Sequence, residues 1–182
     1  MSTKVEATID DLYRIDGKAE IVGGEIVMMS PSGVLPGLAA LRIAIRLDEY
    51  ARRTGRGCAI GDNVGFVVDL PNRKSFCPDA AFFLGAVTMK FADGAPTFAA
   101  EVRSEGDYGP AAEREMAEKR ADYFAAGTQV VWDVDLLGDD VVRVYRAASI
   151  ERPTAYRRGQ AAEAEPAVPG WTMAVDDLFP AG

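Results

Sequence analysis

Two short apolar runs each carry one carboxylate where a strand would be expected to be apolar. Glu101 lies inside FAAEVRS, residues 98–104, and Asp79 follows Pro78 at the head of PDAAFFL, residues 78–84. A carboxylate in a buried strand is costly unless it is paired, hydrogen-bonded or bound to a cation. Taken singly, Glu101 reads first as half of an internal ion pair or as part of a face open to solvent, and Asp79 as a turn residue. Taken together, they are two acids on runs close enough in sequence to be neighbouring strands. Two converging carboxylates suit a hard divalent cation, which takes its remaining oxygens from water and phosphate. Side chains alternate along a strand, so Glu101 shares its face with Ala99 and Arg103. Glu20, at the head of AEIV, is a third acid. It reads as a solvated edge position unless it faces the other two.

A basic partner is expected on the helix that follows. Pro110 suits the first helical position, and the pattern runs to about Ala126, with Gly127 as the stop. Ala112, Met116 and Tyr123 fall on one face, and Glu115, Glu118 and Asp122 mark the outer side. Lys119 and Arg120 both lie near the apolar arc, and spacing does not separate them. A long side chain at such an edge also snorkels outward. The chain has no histidine, which excludes a Ser-His-Asp triad, a histidine general base and histidine-ligated zinc. Its two cysteines, Cys58 and Cys77, are too few for a structural zinc or a disulfide framework, and they fit a reducing cytoplasmic setting. Hydrolysis would therefore rest on carboxylates, Lys, Arg, Tyr, Ser, Cys or a hard metal ion.

The elements that must position these groups follow from pattern. The 182 residues suit one domain, 1–182, and 48% hydrophobic with 26% charged residues is ordinary for a soluble protein. No apolar run approaches the roughly 18 residues of a membrane span. The opening MSTKVEATIDDLYRID has no signal core, so neither membrane insertion nor export is expected. A short helix or turn is read at residues 9–16. Residues 19–22 and 25–29 flank Gly23-Gly24 as a hairpin. A helix is expected over residues 38–53, with Gly55 and Gly57 as stops. Strands follow around 58–60, 64–70, 78–84, 98–104, 129–135 and 141–146, and another starts near Tyr156. Residues 89–96 and 161–170 read as loops. The succession is that of a mixed sheet with flanking helices, an α/β fold.

The net charge of −8 argues against a broad basic face for nucleic acid. It leaves room for a local patch or for metal ions in an acidic site. Arg52, Arg53 and Arg56, and the run Tyr156-Arg157-Arg158, are weak candidates for such a patch; a solvated face is the plainer reading. Trp132 and Tyr123 read as core rather than base-stacking platforms. Ser104 and Asp107 read as a cap or turn ahead of the helix.

Five motifs in order resemble the Uma2 family of restriction endonucleases over nearly the whole chain. They are AEIVGGEIVMMSPSG, PDAAFF, FAAEVRS, AEREMAEKRADYFAAGT and the pair VVWDVD…VVRVYR. The resemblance implies a restriction-endonuclease-like mixed β-sheet flanked by helices, with an αβββαβ core of the PD-(D/E)xK nuclease type and an N-terminal β-hairpin. It assigns Asp79 as the first acid, Glu101 as the second and Glu20 as the N-terminal acid, all three around Mg²⁺ or Mn²⁺. It selects Lys119 over Arg120 as the catalytic lysine. Arg103 stands where the usual nuclease pattern has lysine, and would hold a neighbouring phosphate or neutralise Glu101. Relatives often carry a histidine a few residues after the SP loop; here GVLPGL has Pro36 near that place. The implied activity is metal-dependent hydrolysis of DNA phosphodiester bonds, with a homodimer expected because a symmetric pair cuts both strands. Two rivals stand beside it. One is a nuclease-fold protein without activity, acting as a binding or regulatory module. The other is a nuclease for RNA or single-stranded DNA.

Overall fold

The computed structural model describes residues 5–181. Residues 1–4 and 182 lie outside the described residues, and with them the ends of the expected domain and the first residues of the opening stretch. A one-turn helix α1 (Ile9–Leu12) leads into the hairpin β1 (Ala19–Val22) and β2 (Glu25–Met28), then the long α2 (Val34–Thr54). Next come β3 (Cys58–Ile60), β4 (Phe66–Val67), β5 (Ser75–Phe76), β6 (Ala80–Phe83), β7 (Ala92–Asp93) and β8 (Phe98–Val102). Then follow α3 (Pro110–Ala125), β9 (Val130–Val134), β10 (Val142–Arg146), β11 (Thr154–Tyr156), β12 (Ala161–Glu163) and β13 (Thr172–Ala174).

The central sheet has the order β11-β10-β9-β8-β6-β3. Its β8–β9 pair is parallel, and the crossover between those strands is α3. The run α2-β3-β6-β8-α3-β9 is the expected αβββαβ succession. A small sheet, β5-β4-β7, is inserted within it. Glycine sets the turns that make this order readable. Gly23 and Gly24 adopt positive φ of 58° and 76°, which the two-residue hairpin requires. Gly55 ends α2 at φ 66°, its N–H reaching the Ala51 carbonyl at 2.8 Å.

The two faces of the sheet bury different partners. Phe98, Ala100 and Val102 of β8 point to α2, where Ala39, Ile43 and Leu47 pack with Trp132 and Trp171. Ala99 points the other way, toward Tyr123, Phe76 and Val131. The α2 side is therefore mainly apolar. On the other side α3 buries only Tyr123 and carries little apolar surface. It is docked mainly by ion pairs, and those pairs are the candidate site.

Several boundaries differ from expectation. α2 begins at Val34, and Pro36 sits in its first turn, where the missing N–H has no intrahelical partner to lose. The run 64–70 contracts to Phe66–Val67, and β5 and β7 are two-residue strands too short to leave a periodic signal. The expected loop 161–170 opens with β12, because Ala162 is fully buried and pairs with Met173 of β13. Among the described residues no helix is long and apolar enough to cross a membrane.

Candidate active site

Asp79 stands just before β6 and is fastened to β8 on both sides of Glu101. Its N–H donates to the Ala100 carbonyl at 3.1 Å, and its Oδ2 accepts from the Val102 N–H at 2.8 Å. The two sequence-expected acids are thereby brought together by backbone pairing. Glu101 turns to the α3 side, where its Oε1 accepts from the Tyr123 hydroxyl at 2.6 Å. Lys119, one turn earlier on α3, sets its Nζ 2.9 Å from the same Oε1 and 2.9 Å from Oε1 of Glu20.

Glu20 is not the solvated edge residue that its plain reading suggests. It is 4% exposed. β1 docks on the small sheet, with the Ile21 N–H on the Ser75 hydroxyl at 2.9 Å and the Lys74 N–H on the Ile21 carbonyl at 3.0 Å. Both Glu20 oxygens are engaged, Oε2 by Arg73 and Oε1 by Lys119 and the Cys77 N–H. Arg73 continues to Asp122 at 2.8 Å, so Asp122 faces inward rather than marking the outer side of α3.

The charges bias one another in a readable way. Burial pushes the Glu101 carboxyl above the usual carboxylate range, and the charges of Asp79 and Glu20 push the same way against the pull of Lys119. Burial also works against ionisation of Glu20, but Lys119 and Arg73 overcome it and hold that carboxyl below its ordinary value. Burial opposes the charge on Lys119, and Glu101 and Glu20 outweigh it, so the ammonium stays protonated at neutral pH. Burial and the nearby carboxylates keep the Tyr123 phenol neutral, as a donor.

Lys119 and Arg120 both point inward, toward different acids. Arg120 reaches Asp133 of β9 at 3.3 Å and lies over the Tyr145 ring. Asp133 is the register partner of Glu101 on the parallel strand β9. Arg103 serves that second acid too. Its guanidinium is bidentate to Asp133 at 2.7 and 2.8 Å and also holds Glu113 of α3. Arg103 thus neutralises Asp133 and Glu113 rather than Glu101, and at 6% exposure it is closed off from a phosphate. It fastens the first turn of α3 to the sheet. Arg103→Lys is expected to cost about 1–3 kcal/mol, because an ammonium cannot reproduce the planar fork. Thermal denaturation checks this; an unchanged midpoint would show that the clamp does not hold the helix.

Residues outside the expected set complete the site. Lys18 places its Nζ 2.6 Å from Asp79 Oδ1 and 2.7 Å from Asp62 Oδ1. It lies just before β1, two residues ahead of Glu20, and nothing in its spacing singled it out. Arg73 lies in a turn and gave no signal. The run Arg52, Arg53 and Arg56 lies at the exposed end of α2 and beyond it, and Arg157 and Arg158 pair with Asp140 and Asp176, away from this site.

The donor set fits a hard cation held by two carboxylates. Among the described residues the cations paired with Glu20, Asp62, Asp79, Glu101 and Asp122 are Lys18, Arg73 and Lys119, so negative charge is in excess. Among the described residues no three Cys, Asp or Glu side chains gather at metal-ligand spacing. Both Glu20 oxygens are engaged, and Mg²⁺ is commonly held by one or two carboxylates together with water and phosphate, a demand that Asp79 and Glu101 could meet.

Comparison with solved structures finds, among others, the crystal structure of a putative nuclease belonging to DUF820 from Anabaena variabilis. It is 16% identical with a TM-score of 0.75, over 95% of this chain and 97% of that one, a likeness of fold. No curated protein matches the chain. The family profile described as "Uma2: Putative restriction endonuclease" matches residues 8–176. With nearly its whole length so matched, and the expected αβββαβ core in place, the chain belongs to the Uma2 family.

Proposed function

We propose that this chain is an endodeoxyribonuclease of the PD-(D/E)xK type, dependent on Mg²⁺ or Mn²⁺, that hydrolyses DNA phosphodiester bonds. The observation that carries the reading is that Asp79 is held against β8 beside Glu101, and that Lys119 of α3 contacts Glu101 directly. Asp79 and Glu101 are the cation's ligands. Tyr123 and Lys119 both contact Oε1 of Glu101, so Oε2 is the oxygen offered to the cation. When bound, the cation supplies Lewis acidity toward a phosphoryl oxygen and a lowered pKa for water. Water oxygen attacks phosphorus, the opposite P–O ester bond breaks, and the proton that the water gives up is balanced, by way of solvent, by the one the departing oxygen takes.

Lys119 is protonated, so its role is not that of a base. It sets positive charge against the charge that grows on the phosphoryl oxygens in the transition state. Glu20 is a positioning residue: it fixes Lys119 and is itself fixed by Arg73. A two-fold pair of chains would place one such site on each strand of a duplex.

A second reading is favoured by one observation. Both acids already carry a lysine, Lys119 on Glu101 and Lys18 on Asp79. A site content with its own counterions would belong to a binding module. Incubation of supercoiled plasmid with the protein separates the two. Nicking or linearisation with Mg²⁺ or Mn²⁺, abolished by chelator, is the expected result. An intact plasmid, with RNA and single-stranded DNA equally intact, would favour the module. Cutting of RNA or single strands alone would move the substrate and keep the chemistry.

A further inference from the structure

Lys18 sits where a metal-ligating carboxylate would be expected to be free. Its ammonium lies within 2.7 Å of one oxygen of Asp79 and one of Asp62. Asp79 is pinned from both sides, because its other oxygen accepts the Val102 N–H. That hydrogen bond holds the carboxylate in one orientation, and the oxygen it leaves over is the one that Lys18 occupies. The Lys18 and Asp79 side chains are 15% and 13% exposed, whereas Asp62 is 52% exposed on the turn after β3. A cleft of about 120 Å³ opens beside Asp62 and Asp79, its other walls mainly α2 residues such as Gly37 and Ala40, so there is room next to the Asp79 carboxylate.

We propose that Lys18 is a built-in counterion of Asp79 that a divalent cation displaces, and that Asp62 is the position to which the ammonium retreats. The inference rests on the assignment of Asp79 to a cation made above. An ammonium and a divalent ion repel strongly when both sit on one carboxylate oxygen in a half-buried site. Lys18 already touches Asp62, so releasing Asp79 does not leave it unpaired. Without a metal the device keeps Asp79 compensated and the fold intact. With metal, the charge moves a few ångströms toward solvent. Lys18 is thus a positioning residue that sets cation affinity, distinct in role from Lys119.

The device gives opposite signs for its two ends. Mn²⁺ is titrated by calorimetry into the wild type, Lys18→Met, Lys18→Gln, Lys18→Arg, Asp62→Asn and Asp79→Asn, with each fold checked by circular dichroism. Lys18→Met and Lys18→Gln are expected to bind Mn²⁺ about tenfold more tightly or better, about 1.4 kcal/mol. Lys18→Arg, which keeps the charge, stays within a few-fold of wild type. Asp62→Asn binds several-fold more weakly, because the ammonium then has Asp79 alone. Equal or weaker binding in the neutral Lys18 variants, with Asp79→Asn still abolishing binding, overturns the counterion role and leaves the proposed function standing. Tighter binding in Asp62→Asn, an exposed change with little reach into the fold, overturns it independently. Binding that survives Asp79→Asn, or no binding in any variant, removes the cation site itself and the reading built on it.

Discussion

Lys119→Gln is expected to slow DNA cleavage by about 10²–10³-fold, the usual cost of removing one preorganised charge from a phosphoryl or acyl transition state. Affinity for Mn²⁺ should stay within a few-fold of wild type or rise. The ammonium lies 2.9 Å from both Glu20 and Glu101, and its removal leaves those carboxylates less compensated and more receptive to a cation. The glutamine amide can still donate to one of them, which limits structural collapse. Single-turnover cleavage and calorimetry on the same preparation separate the roles. Loss of rate with retained cation binding assigns Lys119 to the reaction. Parallel loss of both would reduce it to a strut.

Glu20→Gln should be the most destabilising substitution in the site. Glu20 is buried and accepts from Arg73, Lys119 and the Cys77 N–H, and Arg73 is itself only 6% exposed. A glutamine keeps one acceptor but turns an amide N–H₂ toward a cation, leaving buried positive charge uncompensated. Breaking a buried pair from one side costs about 3–5 kcal/mol. For a domain of this size that is a fall in melting temperature of roughly 6–20 °C. The pH dependence gives a second signature. Glu20 is held below its ordinary value, so its contribution is present above its unfolded pKa and is lost as pH falls through the lower folded one. The variant should therefore show a flatter acid limb in a plot of stability against pH. Glu101 works in the opposite sense, because its folded pKa is raised. It favours folding at low pH, and that contribution fades as pH rises through the raised value. An acid limb unchanged in Glu20→Gln would show that Glu20 is not held ionised by its neighbours.

The fold was legible wherever local chemistry and tertiary structure agree. Gly23-Gly24, Gly55 and Gly127 punctuate the chain at the places where it turns, and the long apolar strands lie within a residue or two of their expected spans. The short strands β5, β7 and β12 were not legible, because two or three residues carry no period, and β7 pairs in parallel with the sequence-distant β4. Asp79 and Glu101 stood out because a charge in an apolar strand demands a partner. What spacing could not deliver was the choice between Lys119 and Arg120. The structure shows why: both are needed on the inner side, one for Glu101 on β8 and one for Asp133 on β9. A helix docked by ion pairs has no apolar stripe to mark its inner face. Asp122 was misplaced for a related reason, since its partner Arg73 arrives from a turn 49 residues earlier. Glu20 was read as an edge because nothing near it in sequence foretold that the small sheet would cover it.

The central claim is that Asp79 and Glu101 form a cation site that cuts DNA. It is tested most directly by comparing wild type, Asp79→Asn and Glu101→Gln on supercoiled plasmid, each with Mg²⁺, Mn²⁺ or chelator. The expected result is cation-dependent cutting by the wild type that falls by about 10³-fold or more in both variants. Cutting that persists in both variants, or that proceeds undiminished in chelator, would contradict it.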